Sequence, residues 1–170
     1  MAAASGVVLC ALLAAACVSD LRTRRIPNTL VLVTALAGVV FSAVTKSFAA
    51  GLTQAGAGLL TGLAIWIPFY ALRMLGAGDV KLFAAAATFL GARSAVDAAV
   101  FTALYGGALA LLYMVLNSGL KSTAIRLGHA MQQPSLLHNP ATSNRRRMPY
   151  AFAIAAGVLT ALWLPGYRIL

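Results

Sequence analysis

Apolar residues in this chain come in long unbroken runs, separated by short clusters of polar and basic residues. The runs cover about residues 2–19, 29–44, 51–72, 80–92, 95–116 and 149–164. A helix that crosses a bilayer needs about 20 apolar residues. Most of the runs approach or reach that length. The fourth is short and needs its flanking turn, or a locally thinned bilayer, to cross. No run alternates with the period of two that a barrel strand would show. The pattern therefore predicts an all-α fold, a polytopic bundle of about six transmembrane helices forming one domain over 1–170. Its loops on one side lie at about 20–28, 73–79 and 117–147. The first run lacks the basic start of a secretory signal and is read as a membrane helix. Gly58 and Gly62 have the GxxxG spacing that lets helices approach closely. Pro68 is expected to kink the third helix near its end.

Composition agrees. Of 170 residues, 61% are hydrophobic and 9% charged, and the mean hydropathy is +0.88. A soluble domain carries about 25% charged residues. The balance excludes a disordered chain, a coiled coil, a disulfide scaffold and nearly all soluble enzymes. Cys10 and Cys17 lie seven apart in one run and form no CxxC pair, so they read as small apolar side chains. The net charge of +10 raises the question of nucleic acid. Its distribution answers differently. With six crossings, Arg22, Arg24, Arg25, Arg73, Lys81, Lys121, Arg126, Arg145, Arg146 and Arg147 fall on one side; Lys46, Arg93 and Arg168 fall on the other. The positive-inside rule makes the first side cytoplasmic, with both termini outside. Membrane lipids are then expected partners, and nucleic acid is not.

The chain has only three acidic residues, Asp20, Asp79 and Asp97. An ionisable residue next to hydrocarbon is a functional candidate by default. Asp20 follows one crossing and Asp79 three, so both lie at the cytoplasmic side; Asp97 faces the opposite side. Two carboxylates that meet share a proton, as an aspartic protease requires. One acts as general base on water while the other, protonated, polarises the scissile carbonyl. This chemistry calls for no metal and no cofactor. Structural readings stand beside it: Asp79 as a helix cap after two glycines, Asp20 as a surface ion pair, and Asp97 as a cap or headgroup residue. Gly76 and Gly78 leave room for an extended peptide. Lys81 reads as a side chain snorkelling to the interface.

These residues match a known pattern. Gly76-Ala77-Gly78-Asp79-Val80-Lys81 resembles the GxGDxK signature of type IV prepilin peptidases. Asp20 through Ile26-Pro27-Asn28 resembles the segment around that family's first catalytic aspartate. Met148-Pro149-Tyr150 resembles its third landmark, just before the last helix. The resemblance implies a GxGD-type intramembrane aspartic endopeptidase with Asp20 and Asp79 catalytic. Gly76, Gly78, Lys81, Pro27, Asn28, Pro149 and Tyr150 would support them. Such enzymes cut prepilins and pseudopilins after a glycine at the cytoplasmic face of the inner membrane. Longer members carry a CxxC-bearing segment and also methylate the new N-terminus. This chain lacks that segment and is similar to the short form of Tad/Flp-type pilus systems, so methyltransferase activity is not expected. Met148 and Ala151 depart from the isoleucine and glycine common at those places. Three other readings stay open: a related GxGD protease with another substrate, a small transporter or proton relay built on paired aspartates, and a structural subunit with capping aspartates. The last predicts that Asp→Asn changes are tolerated.

Overall fold

Thr34, Gly38 and Ser42 recur every four residues along one stripe of the second helix, and all three are buried. Leu32, Val33, Leu36 and Val40 of the same helix are exposed. A helix of a water-soluble domain has the opposite arrangement. Hydrocarbon around a bundle gives no gain for burying leucine, so close packing of small and hydroxylated residues takes the inside.

The computed structural model describes residues 2–72, 74–118 and 150–163. The described residues form six α-helices and no strand: α1 (Ala2–Thr23), α2 (Asn28–Thr45), α3 (Phe48–Ala71), α4 (Ala77–Leu90), α5 (Ala92–Ser118) and α6 (Ala151–Trp163). Four stretches are long and apolar enough to cross a membrane: Ala4–Thr23, Asn28–Thr45, Phe48–Ala71 and Ala92–Leu112. With 14 and 13 residues, α4 and α6 reach only about 20 Å each, at 1.5 Å per residue. The chain divides into two compact units, Met1–Tyr105 with Pro149–Leu170, and Gly106–Met148. The described residues of the second unit are 106–118, the continuation of α5.

Helix α4 is the enclosed one. Val80 and every residue of 82–88 are buried, against α2, α3 and α6. Alanine at 84–87 makes that possible, because α3 comes close enough to put Gly58 against the Ala87 carbonyl. At Gly62 an added Cβ would stand 3.0 Å from Ala84 Cα. The GxxxG spacing thus does what it predicts. On the other flank, Ser42 Oγ donates to the Thr88 carbonyl at 3.1 Å, and Thr88 Oγ1 donates to Ala85 at 2.7 Å. Helix α1 packs on α6 and α2, and Tyr105 and Thr160 join α5 to α6 through their hydroxyls at 3.1 Å.

Three boundaries differ from the pattern of the sequence. Helix α1 continues through Asp20 to Thr23, into the expected loop 20–28. Helices α4 and α5 are separated by Gly91 alone, whose φ of 79° turns the chain in one residue, so Arg93 is helical. Helix α5 runs to Ser118, past the expected start of the loop at 117. Asp97 is corrected most. It is not a cap but lies in the second turn of α5, 6% exposed, with Oδ1 lacking a hydrogen-bond partner among the described residues. Arg73, Met148, Pro149, both histidines and the rest of the 119–147 segment lie outside the described residues.

Candidate active site

Asp20 sits in the last turn of α1. The helix outlasts its apolar run because polar groups hold the final turn. The Arg24 amide donates to the Asp20 carbonyl at 2.8 Å. Thr23 Oγ1 lies 2.9 Å from the Ser19 carbonyl and 3.1 Å from that of Arg25, its one proton shared between them. Arg24 then takes a φ of 51°, the left-handed conformation that commonly stops a helix. Pro27 caps α2 with φ −62° and ψ 135°, where the missing N–H costs nothing. Its carbonyl accepts from Leu30 and Val31 at 3.1 and 3.2 Å. Pro27 and Asn28 are exposed; the structure gives them the work of starting α2.

Asp79 is the third residue of α4. Its amide donates to the Gly76 carbonyl at 3.1 Å, and its Oδ2 accepts from the Gly76 amide at 3.2 Å. This is half a capping box, since a glycine cap has no side-chain oxygen to return the bond. The half-buried carboxylate lies where the α4 dipole favours negative charge. Gly76 has an ordinary φ of −78°, so conformation does not require glycine there. An added Cβ would stand 2.9 Å from Asp79 Oδ2, so a side chain there would shift the carboxylate. At Gly78 an added Cβ would meet Ile26 Cβ at 3.4 Å. The residue ahead of Pro27-Asn28 therefore packs on the glycine ahead of Asp79, and two of the three sequence landmarks touch. Lys81 is exposed in the second turn.

The start of α6 joins them. The Ala151 amide donates a long hydrogen bond, 3.5 Å, to Asp20 Oδ2. Asp20 is 8% exposed. The first amides of a helix have no partner within it, and a carboxylate from α1 takes one of these. Next to Ala151, the Tyr150 phenol is pushed up to about 12, by burial first and by the negative charge of Asp79 second. It remains an O–H donor throughout the physiological range. The Tyr150–Ala151 step is thus bonded to Asp20, and its phenol lies within range of the charge of Asp79. Behind Tyr150, Trp66 of α3 packs edge-on at 6.3 Å. Sequence reasoning passed over Trp66, because a tryptophan in an apolar run looks like any core residue. The only signal was its place near the end of α3, level with the start of α4.

A model of the type IV leader peptidase family matches residues 7–115. That is well over half of the chain, and it includes Asp20 and the whole 76–81 motif. The chain belongs to the type IV leader peptidase family. It is a peptidase, and with four apolar spanning stretches it is a multi-pass membrane protein. Comparison with curated proteins and with solved structures finds no match. The matched region of this leader peptidase ends before Tyr150, so the part of α6 in the site rests on geometry alone. The arrangement has what acid–base hydrolysis needs: two carboxylates at one end of the bundle, each facing a helix N-terminus, with a neutral phenol beside them.

Proposed function

We propose that the chain is a prepilin leader peptidase, an aspartic endopeptidase that uses Asp20 and Asp79 as its dyad. One carboxylate takes a proton from water as the oxygen attacks the carbonyl of the substrate glycine. The other, protonated, donates to the carbonyl oxygen and then delivers its proton to the leaving amine. Pilins and pseudopilins of a Tad/Flp-type pilus are the substrates, and the cut is made at the cytoplasmic face of the inner membrane. The observation that carries this reading is the Tyr150–Ala151 step. Asp20 reaches it from 131 residues away and the charge of Asp79 bears on its phenol, so both aspartates bear on one turn. Capping alone explains Asp79 but leaves no reason for Asp20 to be buried against a second helix.

The test is cleavage of a prepilin by membranes containing the wild type, Asp20→Asn, Asp79→Asn or Asp97→Asn. The wild type and Asp97→Asn shorten the substrate by its leader, and the other two leave it intact. Cleavage by both Asp20→Asn and Asp79→Asn would remove the dyad. An intact substrate in every lane, with pilins of several systems offered, would favour a transport or structural role.

A further inference from the structure

Trp66 lies two residues before Pro68 in α3 and is 4% exposed. Its indole meets three other rings: Phe69 at 5.4 Å, Phe83 at 5.6 Å and Tyr150 at 6.3 Å, the last at 74°. One side chain thus ties α3 and α4 to the residue that opens α6. Edge-to-face pairs at such separations prefer one orientation, so they fix angles as well as distance. Among the described residues the Nε1–H has no hydrogen-bond partner. Burying an unpaired donor costs free energy that an aliphatic residue would escape. What the indole contributes here is therefore the shape and faces of its ring.

The ring it holds belongs to Tyr150, whose following amide donates to Asp20, while α6 also packs on α4, the helix that carries Asp79. Contacts made by Tyr150 and Ala151 hold this turn against α3 and α1. We propose that Trp66 is a positioning residue: by clamping the Tyr150 ring against α3 and α4 it fixes the first turn of α6, and through that turn the place of Asp20 relative to Asp79. The inference rests on the dyad reading above and adds to it the element that holds the dyad in register.

Full-length Trp66→Leu and Trp66→Phe are compared with wild type and Asp20→Asn by two measurements. One is prepilin cleavage. The other is amide hydrogen exchange over residues 150–154 without substrate. In Trp66→Leu, kcat falls about tenfold or more while KM stays within about threefold, because the loss lies in the geometry of reaction and not in binding. Exchange over 150–154 speeds up about tenfold, with protection of the α2–α3–α4 contact unchanged. Trp66→Phe keeps a ring at the site and stays within about threefold of wild type on both counts. Wild-type exchange in Trp66→Leu would overturn the inference. So would equal losses in the two variants, which would put the role on the N–H, or exchange accelerated alike in every helix, which would mean general loosening. The exchange readout needs no substrate, so it decides the Trp66 inference by itself. Cleavage by Asp20→Asn and Asp79→Asn would instead sink the dyad.

Discussion

At the scale of single residues, the two glycines of the 76–81 motif have different jobs. Gly76 leaves space for the Asp79 carboxylate, 2.9 Å from where a Cβ would stand, while Gly78 offers a flat face to Ile26 at ordinary contact distance. Gly76→Ala therefore displaces the carboxylate and lowers kcat by roughly 10- to 100-fold, since a misplacement near 1 Å can cost about that much. Gly78→Ala stays within about tenfold, with a slightly lower melting temperature. Steady-state cleavage by the two variants, with thermal melting of each, checks the order. Tyr150 gives a pH dependence of stability. Its folded pKa, about 12, lies above the unfolded value near 10. The neutral phenol's contribution is therefore complete below pH about 10 and is lost as pH rises toward 12. Between those values the melting temperature of the wild type falls more steeply than that of Tyr150→Phe. Equal slopes would mean that the phenol is solvated in the fold. The sequence pointed to the aspartates, the glycines and Tyr150 because their types and spacing carry chemistry. It could not point to Trp66, or to the Ala151 amide that meets Asp20. A backbone donor has no identity in a sequence, and its partner here lies 131 residues away.

At the scale of elements, the apolar runs located all six helices, because hydrocarbon selects for length and hydropathy before anything else. They misplaced the ends. An apolar run stops where side chains reach the headgroups, but hydrogen bonding goes on, and Thr23 and Arg24 carry α1 a further turn past Asp20. At the other end of the bundle, one left-handed glycine replaces the loop expected between α4 and α5. The inward stripe Thr34, Gly38 and Ser42 was also hidden, since a small residue among leucines reads as part of the run until its neighbours are known. The glycine pressed closest on a neighbouring backbone predicts the largest loss. Gly58→Val would drive a branched side chain into the Ala87 backbone and push α3 off α4, the helix that begins with the aspartate motif. Overpacking of this kind costs about 1–3 kcal/mol or more. Gly56, on the same helix, has open space where a Cβ would go, so Gly56→Val costs well under half as much. Thermal melting of the two purified variants in one detergent makes the comparison. A larger loss at Gly56 would mean that α3 is turned away from α4.

At the scale of the whole molecule, the aspartate end and the basic end coincide. The ends of α1 and α3 and the starts of α2, α4 and α6 come together through Ile26 on Gly78, Trp66 on Tyr150 and Ala151 on Asp20. Arg22, Arg24, Arg25 and Lys81 are exposed at that end, whereas Lys46 and Arg93 are exposed at the other. Lysine and arginine near helix ends resist translocation, so the positive-inside rule predicts that the richer end stays in the cytoplasm. The same end must receive any peptide cut before export, so the charge distribution and the proposed chemistry demand one orientation. Cysteine labelling separates the two possibilities. In a background of Cys10→Ala and Cys17→Ala, Met74→Cys places a thiol at the exposed link between α3 and α4. Ser47→Cys places one at the exposed link between α2 and α3. A membrane-impermeant maleimide added to intact cells, with the outer membrane opened, labels Ser47→Cys at once and Met74→Cys only after the inner membrane is permeabilised. The reverse pattern would set the aspartates on the far side of the membrane. A leader cut there would be removed after translocation, and the cytoplasmic step of the proposal would fall while the fold stood.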